Sequence, residues 1–301
     1  TPPTTRESMA PSRAPSAQAA WVMQQVQGRE IKSVGSVRDY EQGLTRVAEW
    51  QQAEHPRLAQ GLRGMTQELA IAYLEQRAEQ VSQSTLNQER QALQVMMQRV
   101  THKLAPDARL PVVQSEKQIV EQSRAYTQEQ IALVVGAQNE RNGLATEIAH
   151  AAGLRASELL TLQRIEERAP SDRPAREEKF TGRAPGERYT VHGKGGLIRE
   201  VRLPSELAAR LEARRLDTPV RIDDRGVFRD SRYDIAGGHA WSRSFSAASD
   251  RVLGWSAGAH GMRHSYAQER YGELQVRQGL SPHDAKETLS KELGHVRAEI
   301  R

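Results

Sequence analysis

Hydrophobic residues recur at helical spacing from about Ala19 to Leu104, and then the recurrence stops. Val37, Tyr40, Leu44 and Val47 fall on one face after Ser36, which reads as an N-cap, while Leu86, Leu93, Met97, Val100 and Leu104 form a second stripe. Thr66 precedes a segment carrying Leu69, Tyr73 and Leu74, and Trp21, Val22 and Val26 mark a shorter first helix. Four helices of this kind bury their apolar stripes against one another, which predicts a compact helical domain over 19–104. Pro106, Pro111 and a polar run make 105–125 read as an interdomain linker, so a second domain is expected over 126–301.

The second domain mixes periods. Thr127 and Gln130 stand in capping-box spacing ahead of Ile131, Val134 and Val135, and Leu144 and Ile148 line a helix that ends at Gly153. The mixture of Pro, Gly, Arg and Glu over 169–187 reads as an exposed, inserted loop. Arg188 to His192 and Leu197 to Leu203 read as strands joined across Gly193-Lys194-Gly195-Gly196, a glycine-rich hairpin turn. Beyond it, Ser205 is placed to cap a helix bearing Leu207 and Leu211, and Arg221 to Arg232 reads as a charged connection. Phe245, Ala248 and Val252 mark another helix, Ser281-Pro282 a helix start and Gly294 its stop. The fold class is therefore mainly α with a small β-hairpin or sheet.

Composition narrows the partners. A chain of 301 residues with a net charge of +5, carried largely by arginine, suits a phosphate backbone met through forked contacts. With no cysteine, disulfides and thiolate metal sites are excluded, and no apolar run is long enough to span a bilayer. Thr1 to Gln18 is rich in Pro, Ser and Thr and lacks an apolar core, so 1–18 reads as a disordered tail rather than a secretory signal, with Met9 a candidate start. A soluble, cytoplasmic protein that binds nucleic acid and no membrane is expected.

Several basic residues are placed to meet an anion. Arg155 follows the Gly153 turn at a helix start, where backbone N–H groups also favour negative charge; its alternative is an ion pair with Glu158. Lys194 stands at the hairpin tip, where an ammonium can reach a leaving oxygen or simply be solvated. His260 and Arg263, three positions apart, share one helix face. A zinc reading of His260 and His264 lacks the glutamate of His-Glu-x-x-His, since Gly261 stands there, and no metal is expected. In the first domain Arg38, Arg46, Arg63, Arg77, Arg90, Arg99 and Lys103 are either DNA contacts or solvated, as is Arg243 in the second.

Four of these features occur together in a known order. Gly153-Leu154-Arg155-Ala156-Ser157-Glu158-Leu159-Leu160-Thr161-Leu162, Lys194 in its hairpin, His260-Gly261-Met262-Arg263-His264 and Leu293-Gly294-His295 resemble the motifs of the tyrosine recombinases, or phage integrase family. The resemblance implies a helical core-binding domain followed by an α+β catalytic domain, and a site-specific recombinase that cuts one DNA strand through a 3′-phosphotyrosyl link without ATP, metal or cofactor. Arg155 and Arg263 would hold the phosphate, Lys194 would protonate the departing 5′-oxygen, His260 would assist proton transfer and His295 would donate to the phosphate. Glu158 would support the arginine, and His264 would stand behind the site. The implied partners are a double-stranded recombination site, a tetramer of this chain on two paired sites, weaker without its C-terminal tail, and an accessory DNA-binding protein. A bacterial mobile element in the nucleoid is the expected setting.

One departure stands out. The family's tyrosine lies roughly nine residues past the histidine of Leu-Gly-His, and the sequence stops at Arg301, before that point. The nucleophile is expected beyond Arg301. Tyr266 and Tyr271 follow the His-x-x-Arg motif and precede Leu293-Gly294-His295, where the family places no nucleophile. A shortened chain or an omitted mobile tail is favoured over a protein that binds without cutting. That non-cleaving DNA-binding module or regulator is the alternative function, and a type IB topoisomerase is a weaker third.

Overall fold

A computed structural model describes residues 14–57, 60–117, 123–171, 179–183 and 185–294, which form two compact units, Thr1–Glu121 and Gln122–Arg301. In the first, helices α1 (Pro15–Val26), α2 (Val34–Glu54), α3 (Gln67–Ala78) and α4 (Gln83–Arg99) bury Val22, Leu44, Val47, Leu74, Leu93 and Met96 against one another. The cap of α2 is Ser33 rather than Ser36: the Ser33 hydroxyl accepts the Ser36 N–H, and the helix starts at Val34. Thr66, just ahead of the segment carrying Leu69, Tyr73 and Leu74, caps α3 by accepting the Leu69 N–H.

Two stretches read as irregular are tied to this bundle. The helix α1 begins at Pro15, inside the stretch read as tail, because proline is favoured in a first turn and Gln18 Oε1 accepts the Leu62 N–H at 2.8 Å. Residues 1–13 lie outside the described residues. Part of the stretch read as linker lies on the bundle: Gln98 donates to the carbonyls of Ala105, Pro106 and Ala108, Arg90 to that of Leu110, and Leu110 is buried. Its polar composition resembles a linker because side chains of α4 satisfy its backbone.

The second unit begins with α5 (Gln128–Gly136), capped by the reciprocal Thr127–Gln130 box, and α6 (Glu140–Ala152), which Gly153 ends in the left-handed conformation. A single turn, α7 (Ala156–Leu159), leads to a three-stranded antiparallel sheet of β1 (Gln163–Arg164), β2 (Gly186–His192) and β3 (Ile198–Pro204). Helix α8 (Ser205–Glu212) follows, with no side-chain cap from Ser205. The connection expected over 221–232 is instead a second hairpin, β4 (Arg215–Asp224) with β5 (Val227–Tyr233). Then come α9 (Gly238–Leu253), α10 (Gly261–Gly272) and α11 (Pro282–Glu292), the last capped by Ser281. The core gathers Leu144, Ile148, Tyr189, Val191, Val201, Leu203, Trp241, Phe245 and Met262. Phe180, in the stretch read as an exposed loop, is buried, and its N–H donates to Glu292. Among the described residues no helix is long and apolar enough to cross a membrane.

Candidate active site

The site forms where the end of α6, the short α7, the β2–β3 hairpin, the start of α10 and the end of α11 meet. Its hub is Glu158, fully closed to solvent. One Glu158 oxygen accepts the Arg155 N–H at 2.8 Å and the other accepts Arg155 Nη1–H at 2.9 Å. The ion pair weighed against a phosphate role for Arg155 is therefore present, yet the Arg155 side chain remains a quarter exposed and keeps donors to offer.

Arg263 projects inward from α10, almost wholly buried. Its guanidinium donates to the Gly153 carbonyl at 2.6 Å and to that of Leu293, and it lies 3.9 Å from Glu158. A third guanidinium, Arg199 on β3, completes the cluster. Its Nη2 donates to Glu158 Oε2 at 2.8 Å and to the Gly153 carbonyl at 3.1 Å, its Nε to Glu158 Oε1 at 3.3 Å, and its Nη1 to the Glu292 carbonyl at 2.8 Å. Sequence reasoning passed over Arg199, although the alternation of β3 puts it on the inward face with Val201 and Leu203.

The hairpin turn carrying Lys194 is held against the same carboxylate. Gly193 donates to the Leu197 carbonyl, and a side chain there would begin 3.5 Å from Glu158 Oε1 and 3.2 Å from that carbonyl. Gly195 and Gly196 both have positive φ, which is why the turn is built of glycine. The Lys194 side chain and all of His295 lie outside the described residues, but their neighbours are in place: Gly193 beside Glu158, and Gly294 over the Arg199 side chain, where a Cβ would stand 2.8 Å from Arg199 Cδ.

His260 is the residue preceding α10, and its carbonyl accepts the N–H groups of Arg263 and His264. The rings of His260 and His264 meet edge to face with centroids 5.1 Å apart. Arg124, on a stretch read as linker, contributes to the same positive field. Among the described residues the only grouping of three metal-ligating side chains is His283, Asp284 and Glu287 on the solvent side of α11, a solvated cluster rather than a built site.

The charges do not balance. Burial alone would raise the Glu158 pKa, but the charge and hydrogen bonds of Arg199, then Arg263 and the Arg155 N–H, outweigh it and hold the carboxyl at about 2. Burial, then Arg199 and Arg155, pull Arg263 down to about 9. Desolvation, then the nearby His264, Arg263, Arg155 and Arg124, push His260 down to about 4. Three guanidiniums share one carboxylate, and the excess positive charge is what a phosphate would balance.

The candidate DNA contacts differ in how free they are. Arg46 and Arg77 both bind the buried Glu89, Arg90 supports the Leu110 carbonyl, and Arg99 lies 3.6 Å from Glu30. Arg63 stacks on Trp21, and Arg38 is half-buried. Lys103 and Arg243 are exposed. Tyr266 is buried with its hydroxyl donating to Glu292 at 2.8 Å, and Tyr271 packs against the same small core of α10 and α11.

No protein-family model matches the chain, and no curated protein is significantly similar in sequence. Solved structures match in fold. XerH site-specific recombinase bound to difH substrate aligns with a TM-score of 0.53 at 14% identity, over 97% of this chain and 92% of that one. A lambda integrase dimer bound to a COC′ core site gives 0.57 at 15% identity, over 94% and 95%. Tn1549 transposon integrase in complex with transposon right end DNA gives 0.55 at 13% identity, over 93% and 92%. The chain therefore has the fold of the tyrosine recombinases, with an α+β domain after a helical one.

Proposed function

We propose that this protein is a site-specific DNA recombinase that cleaves and rejoins strands through a 3′-phosphotyrosyl intermediate, acting on a bacterial mobile element. The observation that carries the reading is the cluster of Arg155, Arg199 and Arg263 around the single carboxylate of Glu158. Its surplus positive charge is fixed before any substrate arrives, so it stabilises charge developing on a phosphate without reorganisation.

In this reading Arg155 and Arg263 hold the non-bridging oxygens of the scissile phosphate. A tyrosine beyond Arg301 attacks phosphorus, its proton passing towards His260, and the bond to the 5′-oxygen breaks as Lys194 protonates it. His295 donates a further hydrogen bond to the phosphate, and His264 supports His260. The phosphodiester energy stays in the tyrosyl link, so a second 5′-hydroxyl reverses the step with no ATP or cofactor. The partners are a double-stranded recombination site and a tetramer of this chain on two such sites, with Lys103 and Arg243 among the backbone contacts.

The test compares Arg155→Ala and Arg263→Ala in the protein carried through its natural C-terminus, on a duplex bearing its recombination site. Each substitution is expected to slow cleavage by about 10²–10³-fold, while fluorescence anisotropy shows most of the DNA affinity retained. Unchanged cleavage in either variant would overturn the assignment. Tight binding with no cleavage by the unaltered protein would make it a DNA-binding module.

A further inference from the structure

Arg199 belongs to none of the motifs that point to recombination, yet it touches as many of the site's segments as Arg263 does. It reaches α7 through Glu158, the end of α6 through the Gly153 carbonyl, and the end of α11 through the Glu292 carbonyl. Its own strand, β3, forms one arm of the hairpin that carries Lys194. The stem of Arg199 also fills the space beneath Gly294, the residue before His295.

A buried guanidinium is costly to desolvate, and packed apolar side chains would serve a purely structural strand as well. Leu197, Val201 and Leu203 fill the other inward positions of this strand and its approach. What apolar side chains cannot do is aim a rigid fork at three segments at once. Arg199 and Arg263 work as a pair on two elements: both donate to the Gly153 carbonyl, and between them they satisfy the carbonyls of Glu292 and Leu293 at the end of α11. One arm of the lysine hairpin, the carboxylate that holds Arg155, and the end of α11 up to Gly294 all meet at one side chain.

We propose that Arg199 is a positioning residue for strand cleavage, setting the relative placement of Arg155, the hairpin that carries Lys194 and the end of α11 at Gly294 without touching DNA. The proposal rests on the recombinase reading for its catalytic consequence, and on the contacts of Arg199 alone for its structural one. Displacing catalytic groups by about 1 Å can cost roughly 10²-fold in rate, so a slowing of that order is expected when the fork is lost.

The experiment uses Arg199→Lys and Arg199→Gln in the protein carried through its natural C-terminus, with two readouts. In the first, single-turnover cleavage of a nicked duplex is compared with equilibrium DNA binding and thermal stability. Arg199→Lys keeps a charge for Glu158 and is expected to recover much of the stability lost in Arg199→Gln, but to cleave about 10²-fold slower than the unaltered protein with little change in DNA affinity. Cleavage by Arg199→Lys at the unaltered rate, or slowing only in proportion to lost folded protein, would overturn the proposal. The second readout, amide hydrogen exchange, does not depend on cleavage. The Arg155 N–H, which binds Glu158, and the Gly294 N–H, which binds the Lys291 carbonyl, should lose protection in both variants, while the Ile131 N–H in α5 keeps its own. Protection unchanged at Arg155 and Gly294, or lost equally at all three, would also overturn it. If the unaltered protein leaves DNA uncut, the recombinase reading fails and the exchange result alone decides the role of Arg199.

Discussion

Glu158 accepts both the backbone N–H and the Nη1–H of Arg155, at 2.8 and 2.9 Å. The bidentate hold fixes the side chain of Arg155 relative to its own backbone, as a residue that must meet a phosphate in one orientation requires. Because the same carboxylate also faces Arg199 and Arg263, its loss would strand buried positive charge. Glu158→Gln is expected to destabilise the fold by about 3–5 kcal/mol, read by urea denaturation, and a loss under about 1 kcal/mol would contradict the hub role.

His260 titrates below its ordinary 6.5, at about 4. Between those two values the unfolded chain binds the proton that the folded chain refuses, so stability is fully present above pH 6.5 and falls as the pH drops towards 4. A bound phosphate would offset the surrounding cations and raise the value. Proton NMR of the His260 ring should show a titration well below 6.5 in the free protein and an upward move with DNA; a free-protein midpoint at 6.5 would contradict the electrostatic account.

Tyr266 is sealed in the interior, and burial, then the neighbouring Glu292, pushes its hydroxyl pKa up, away from a phenolate. Tyr266→Phe should cost about 1–3 kcal/mol, by leaving Glu292 one donor short, and should leave covalent attachment to DNA intact. Loss of attachment at full stability would make Tyr266 the nucleophile.

Gly153 has a φ of +60°, and a Cβ there would stand 2.8 Å from both Leu293 Cδ2 and Tyr266 Cδ1. Gly153→Ala is expected to cost about 2–4 kcal/mol and to slow cleavage as well, because Arg199 and Arg263 share its carbonyl. A variant with unaltered melting and rate would show that this turn does not set the site.

Much of this arrangement is legible in the sequence. The helical stripes, the Thr127 box, the glycine stop at 153 and the lysine hairpin follow from period, cap and turn chemistry. The β4–β5 hairpin is hidden because both faces of its outer half are solvated, with Val220 and Phe228 exposed and arginine and aspartate between them. Its signal was the alternation around the Asp223 to Gly226 turn. The fold of 105–117 is hidden for another reason: α4 side chains satisfy its backbone, so the segment needs few apolar residues of its own. Arg199 escapes a motif reading, and its only signal is an arginine in an inward strand position, a conflict between pattern and residue.

The most direct measurement incubates the protein, carried through its natural C-terminus, with a site-bearing duplex nicked to trap the intermediate, followed by a denaturing gel. The recombinase account predicts a covalent protein–DNA adduct that disappears when the tyrosine beyond Arg301 is replaced by phenylalanine and persists in Tyr266→Phe. Tight binding to the same duplex without an adduct would contradict it.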